Sequence, residues 1–240
     1  MRINRVYCSD NLSVNTEVIL TGPAALHVTK VLRLAPNSLL VLFNGDSYDY
    51  EGTINKIAKS TVSIQLQQKI KLTNESSLYL HLGQAISHSN KMDIAIQKAV
   101  ELGVNEITPI ISEFCEIKLS KERWENKLSH WQKIIISACE QSGRAKLPLL
   151  NQPIQFADWV SARNEALKLI LHPYHATKLL AKEISTTALL IGPEGGFSNP
   201  EVDFAVKQGF QAIQLGPRIL RTETATIAAI TLVQCQLGDF

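Results

Sequence analysis

Three short segments of this 240-residue chain join residues that shape the backbone to groups able to bind: His172-Pro173, Gly192-Pro193-Glu194-Gly195-Gly196 and Gly216-Pro217-Arg218. Proline removes an amide donor and fixes φ, whereas glycine permits positive φ and close approach of the backbone. Loops of this composition make rigid cups whose remaining amides and carbonyls can hold a flat polar ligand such as adenine. Taken singly, the Gly-Pro-Glu-Gly-Gly segment is a tight turn before a helix. Ser198-Asn199-Pro200-Glu201 behind it has the pattern of a capping box with proline in the first turn. Three such segments, each at the end of an expected strand, point to a binding site beyond the carboxyl ends of a sheet. No Gly-Lys-Ser/Thr follows any of them, which argues against a nucleoside triphosphate.

Other groups admit two roles each. Thr222, Glu223 and Thr224 open a long apolar segment and would cap its helix. Arg221 and Glu223 beside so Ala-rich a stretch exceed what capping needs. Arg144, closing Glu140-Gln141-Ser142-Gly143-Arg144, is either a partner of a helix dipole or part of a hydrogen-bonding group. Arg2 and Arg5 on an N-terminal strand, and Lys30 and Arg33 farther on, form basic pairs suited to a solvated face or to phosphate. Net charge is only +2, so any nucleic-acid site must be a local patch. Cys8, Cys115, Cys139 and Cys235 are scattered, without Cys-x-x-Cys or a histidine at metal spacing; free thiols and no metal are expected. Ser87-His88-Ser89 lacks the partners of a hydrolytic triad. No apolar run approaches the roughly 18 residues that span a bilayer. MRINRVYCSD lacks the apolar core of a signal peptide, so a cytoplasmic protein without membrane contact is expected.

The elements that must carry these groups fall into two textures. In the first, Leu39–Phe43 reads as a short apolar strand, Asn44-Gly45-Asp46 as a turn, and Tyr48–Ile57 and Thr61–Ile70 as alternating strands. Pro23–Leu32 reads as a single short helix. The polar run Lys71–Ser77 reads as a linker. Beyond it, Leu78–Ile86, Glu106–Ile111, Leu167–Leu171, Ala188–Ile191 and Ala212–Leu215 read as strands. Lys91–Leu102, ended by Gly103, Arg123–Gln141 and Ala225–Leu237 read as helices. Strands alternating with helices predict a parallel α/β sheet. A small β-barrel or curled sheet over 1–71 followed by an α/β domain over 72–240 is expected.

HVTKVLRL (27–34), KMDIAIQKAVELGV (91–104), ACEQSGR (138–144), LLIGPEGGFSNPE (189–201) and LGPRILRTETA (215–225) together resemble the RsmE family. Its members are bacterial methyltransferases that make 3-methyluridine at position 1498 of 16S rRNA. The likeness runs essentially end to end, and the last two segments are highly specific. It implies a PUA-like β-barrel that binds RNA, then a SPOUT α/β domain with a C-terminal trefoil knot, acting as a homodimer on the small ribosomal subunit. Leu171, His172 and Pro173 would form the first knot loop around S-adenosylmethionine, and Gly192, Pro193, Glu194, Gly195 and Gly196 the second. Leu215, Gly216, Leu220, Arg221, Thr222, Glu223 and Thr224 would form the third.

Under that resemblance Glu223 or Glu194 would be the base for uridine N3–H, with Glu223 preferred. Arg221 and Arg144 would stabilise the uracil anion or grip phosphate. Arg2, Arg5, Lys30 and Arg33 would position the RNA backbone. One departure stands out: Phe114 follows Ser112-Glu113 where the family often carries Arg, so Lys118 or Lys121 would have to compensate. Three other readings compete. They are a SPOUT methyltransferase for another rRNA or tRNA nucleotide, an inactive RNA-binding module, and an unrelated phosphate-binding enzyme. Intact cofactor loops argue against the second, and the missing P-loop lysine against the third.

Overall fold

The computed structural model describes residues 3–115, 121–172 and 184–240, the side chains of Ser89 and Lys121 excepted. It separates into two compact units, Met1–Glu75 with Ile136–Leu147, and Ser76–Ile135 with Pro148–Phe240. Arg2, Pro173 and Lys118 lie outside the described residues, as does the side chain of Lys121.

The first unit holds β1 (Arg5–Tyr7), β2 (Glu17–Leu20), β3 (Leu39–Phe43), β4 (Tyr48–Ile57) and β5 (Val62–Lys71), in the order β1-β3-β4-β5-β2. The β1–β3 pair is parallel; the other pairs are antiparallel. Alternation along β5 buries Val62, Ile64 and Leu66, which meet Leu40, Leu42, Tyr50 and Ile54 in one core. Register shifts at Glu51/Gly52 and Ile54/Lys56 mark bulges, the usual means of curling an antiparallel pair. The single helix expected over Pro23–Leu32 is instead α1 (Gly22–Leu26) running into a π-turn over His27–Val31. Leu32 donates its amide to the His27 carbonyl at 2.9 Å, and Arg33, at φ 52°, ends the turn. Lys30 and Arg33 are exposed there.

Arg5 does not offer itself to phosphate. Its guanidinium is buried, paired in bidentate fashion with Asp49 at 3.0 and 2.6 Å, and seated over the Phe43 ring. It also donates to the carbonyls of Cys139 and Arg144 at 2.8 and 3.2 Å. The Tyr7 amide donates to Glu140 at 3.0 Å, and Arg144 pairs with Glu75 at 3.0 and 2.7 Å. These bonds fasten residues 136–147, the end of a helix that begins in the other unit, to β1.

The second unit is a parallel sheet of β6 (Tyr79–Ala85), β7 (Glu106–Ile111), β8 (Leu149–Leu150), β9 (Ile154–Gln155), β10 (Leu167–Leu171), β11 (Thr186–Ile191) and β12 (Gln211–Ile213). The order is β12-β10-β11-β6-β7-β8, with β9 also on β7. Strands such as β11 are buried on both faces, so they read as continuous apolar runs rather than as alternation. The helices are α2 (Ser89–Glu101), α3 (Lys121–Ser142), α4 (Phe156–Ser161), α5 (Asn199–Lys207) and α6 (Thr222–Leu237), and α6 packs on α2. The expected capping box forms at Ser198 and Glu201. The β10–β11 connection contains residues 173–183, outside the described residues, and with them the tracing of a knot. Among the described residues no helix is long and apolar enough to cross a membrane.

A buried polar cluster braces this sheet near the starts of its strands. His81 Nδ1 lies 3.2 Å from Glu165, whose carboxylate also accepts from Arg163 at 3.0 Å; His81 Nε2 lies 2.8 Å from Thr108 Oγ1. Burial pushes the Glu165 carboxyl up, but His81, a backbone amide and the Arg163 guanidinium outweigh it and hold its pKa at about 2, below the ordinary 4.5. A depressed acid stabilises the fold above its unfolded pKa, and that contribution is lost as pH falls through the folded pKa. The stability advantage of wild type over Glu165→Gln in urea unfolding is therefore expected to shrink between pH 4.5 and about 2. An advantage that does not change across that range would remove Glu165 from the ion cluster.

Candidate active site

Because β12, β10 and β11 are neighbours in the sheet, the three segments that leave their carboxyl ends converge. They enclose a cavity of about 350 Å³. Leu171 and His172 line it from the first segment, Gly192 to Phe197 from the second, and Gln214, Leu215, Gly216, Arg218, Ile219 and Leu220 from the third. Thr222 and Ala225 of α6 complete the wall. A volume near the lower end of the range for small-molecule sites, with apolar walls and exposed loop backbone, suits one extended organic ligand.

The glycines are needed where they stand. A Cβ on Gly192 would lie 3.1 Å from the Gly196 Cα, and Gly196 itself has φ 71°. This tight double-back turns the second segment around the cavity. Thr222 then ties the third segment to it, donating its hydroxyl to the Gly192 carbonyl at 2.7 Å and accepting from the Gln84 amide at 3.2 Å. Thr226 Oγ1 lies 2.7 Å from Gln84 Oε1 and 2.8 Å from the Thr222 carbonyl, sharing its proton between them. Gln84, Thr222 and Thr226 are all buried, so this network is shielded from water and sets the loops rigidly.

Sequence reasoning did not single out Gln84 or Thr226. The available signal was a glutamine inside the largely apolar strand LYLHLGQAI, and a threonine one helical turn after Thr222. Nor did it select Phe197, Asn199, Gln214 or Ile219, whose place on the wall follows from how the loops fold back.

The two candidate carboxylates differ. Glu194 accepts from the His88 amide at 3.1 Å and faces the Lys91 ammonium at 3.1 Å. Burial pushes its carboxyl up, but the amides of Glu194 and His88 and the charge of Lys91 outweigh that and hold the pKa below the ordinary value. Glu194 is thereby committed as an ionised, weakly basic partner of α2. Glu223, in the first turn of α6, has Oε2 buried without any hydrogen-bond partner. Arg221 and Thr224 are exposed, and Thr224 is not part of the cavity wall. Arg144 belongs to the other unit, buried and paired with Glu75. Among the described residues no three His, Cys, Asp or Glu side chains are grouped to hold a metal ion.

A family model described as an RNA methyltransferase domain matches residues 74–234, and one described as an RNA methyltransferase PUA domain matches residues 20–67. The ribosomal RNA small subunit methyltransferase E of Buchnera aphidicola subsp. Acyrthosiphon pisum is 40% identical over 242 residues, covering 100% of this chain and 96% of that protein. The crystal structure of a ribosomal RNA small subunit methyltransferase E from Neisseria gonorrhoeae, bound to S-adenosyl methionine, superposes with a TM-score of 0.93 at 38% identity over 100% of both chains. A Legionella pneumophila protein in complex with the bound cofactor SAM superposes with a TM-score of 0.96 at 39% identity, again over 100% of both. The parallel α/β unit with its converging loops, preceded by a PUA-like β domain, belongs to the ribosomal RNA small subunit methyltransferase E family.

Proposed function

We propose that this chain transfers a methyl group from S-adenosylmethionine to N3 of a uridine in 16S rRNA of the small ribosomal subunit, at the expected position 1498. The observation that carries this reading is the 350 Å³ cavity at three adjacent strand ends, braced by Thr222. Its residues fit the cofactor. The Gly192–Gly196 turn doubles back so tightly that a Cβ on Gly192 would press on the Gly196 backbone, and the cavity walls combine apolar side chains with backbone groups. Leu171, His172, the Gly192-to-Gly196 turn, Leu215, Gly216, Leu220 and Thr222 would hold it. When bound, the cofactor supplies an electrophilic methyl group on a sulfonium sulfur.

The chain's own residues supply the rest. Uridine N3–H is a weak acid, so N3 becomes a competent nucleophile only as its proton leaves. Glu223, whose Oε2 has no hydrogen-bond partner, would take that proton, and Arg221, exposed two residues before it, would stabilise the developing charge or grip the adjoining phosphate. The new bond joins N3 to the methyl carbon as its bond to sulfur breaks. Lys30 and Arg33, both exposed, would meet the RNA backbone. A second copy of the chain would cover α6, which buries Ala225, Ala229, Ile230 and Val233 yet leaves Ile227, Ala228 and Leu232 partly open; light scattering of the purified protein at twice the chain mass is the expected result.

The brace makes a prediction of its own. Thr222→Val keeps the shape but strands the Gly192 carbonyl and one Gln84 donor, a loss of about 1–3 kcal/mol. Calorimetric titration is expected to show S-adenosylmethionine binding weakened about 10-fold or more; unchanged affinity would disconnect the brace from the cofactor site.

The direct test is methyl transfer from labelled S-adenosylmethionine to small subunits lacking the modification, with the labelled nucleoside identified by mass spectrometry. Label in 3-methyluridine at the expected site is the predicted result. Label in another nucleotide, or none despite cofactor binding, overturns the substrate.

A further inference from the structure

A second cavity, of about 490 Å³, shares the Glu194-Gly195 wall with the first. Its other lining residues are Ile86, Ser87, His88, Glu113, Phe114 and Cys115. We propose that this cavity receives the extruded acceptor base, with Phe114 as the stacking platform and the Ser87 hydroxyl as a hydrogen-bonding partner for it. The proposal rests on the reading of this chain as an RNA-base methyltransferase, and it assigns the acceptor to residues outside the cofactor loops.

Phe114 combines a fixed backbone with a free ring. The preceding amide, that of Glu113, donates to Glu201 Oε1 at 2.9 Å, and the following amide, that of Cys115, donates to the Ser112 carbonyl at 3.0 Å. The Cys115 thiol donates to the Ile86 carbonyl at 3.2 Å. Phe114 also lies so close to the second loop that a Cβ on Gly195 would come 3.0 Å from its own Cβ. Held from both sides and against that loop, the residue nevertheless stays 46% exposed. Packing alone gives no reason to hold a large apolar ring half in water beside a cavity. An aromatic face set in advance is what a single unstacked base needs, because stacking works on any base and requires no rearrangement of the protein. A base buried in a duplex cannot be reached, so an enzyme acting on it needs such a pocket next to the methyl donor.

Ser87 supplies the second, independent observation. It is 2% exposed, lines the same cavity, and its hydroxyl has no hydrogen-bond partner in the protein. Buried hydroxyls are seldom left unpaired, because the lost water contact is not recovered. Uracil presents carbonyl acceptors on both sides of N3, and as the N3 proton leaves, the negative charge spreads onto both oxygens. A hydroxyl donating to one of them holds the ring and strengthens its grip as charge develops.

The test uses full-length protein, small subunits lacking the methyl group, and calorimetric S-adenosylmethionine binding in parallel. Phe114→Ala and Phe114→Leu are expected to lower kcat/KM for subunits about 10- to 100-fold, mainly through KM, with cofactor affinity within about twofold of wild type. Phe114→Tyr should restore near-normal values. Leu preserves apolar contact with Gly195 but not stacking, so a Phe114→Leu enzyme with wild-type KM would overturn the proposal. A KM that rises only in step with weakened cofactor binding would overturn it too, since the ring would then act through the loop. Ser87→Ala is expected to lower kcat/KM without loss of thermal stability, because the hydroxyl removed is bonded to nothing; wild-type kcat/KM would strike Ser87 from the site. Wild-type enzyme that binds cofactor but transfers no methyl group would fail differently, bringing down the underlying reading and this assignment with it.

Discussion

Glu223→Gln is expected to lower turnover on small ribosomal subunits by about 10²–10⁴-fold, the usual worth of a positioned general base. Calorimetric titration of S-adenosylmethionine should remain close to wild type, since Gln keeps the size of the side chain and Glu223 is not on the cavity wall. Glu223 Oε2 is a buried carboxylate oxygen without a hydrogen-bond partner. Left alone, such an atom costs the fold stability, and a proton arriving from the substrate satisfies it. Glu194 differs from Glu223 in that its carboxylate is already engaged by the His88 amide and Lys91. Raising the pH should therefore restore part of the lost turnover in the Gln variant, because hydroxide in the medium increasingly does what the carboxylate did. A variant with normal turnover at neutral pH would show that the proton leaves by another route.

The second large effect concerns folding rather than chemistry. Asp49→Ala is expected to cost about 3–5 kcal/mol, because it leaves the Arg5 guanidinium buried without its counter-charge. Urea denaturation followed by circular dichroism reads this as a lower midpoint for the unit that contains β1. Replacing Arg5 by Met and Asp49 by Leu together should recover only part of the loss. Arg5 also donates to the carbonyls of Cys139 and Arg144, and an apolar pair supplies neither bond. Full recovery would mean that those two bonds contribute nothing to holding the end of α3.

These two residues also mark where sequence reading succeeds and where it stops. Leu39–Phe43, Tyr48–Ile57, Glu106–Ile111 and Leu167–Leu171 were legible as strands because each is an apolar or alternating run bounded by turn residues. The loops at 172, 192–196 and 216 were legible because Gly and Pro restrict what the backbone can do. Two-residue strands at Leu149–Leu150 and Ile154–Gln155 have no period to detect, and α4 is a single short helix directly after the second of them. The π-turn at His27–Val31 was hidden as well, since its residues fit an ordinary helix and only the hydrogen-bond spacing differs.

Arg5 shows the deeper limit. Its spacing from Arg2 allowed a basic surface, yet its partner Asp49 lies 44 residues away and its carbonyl acceptors more than 130 away. No local pattern reports such pairings, because the energy of a buried charge depends on what the fold brings within about 3 Å of it. Arg144 is alike: its helix-end position was visible, while its commitment to Glu75 was not. Gln84 and Thr226 became part of the site only when β6 and α6 met, and Ser87 and Phe114 only when two loops closed on one cavity. The sequence by itself determined the α/β order, the loop chemistry and the family likeness, all of which are local or follow the chain. The tertiary structure alone decided which charged and polar groups are spent inside and which remain available, since burial and pairing arise from segments far apart in the chain.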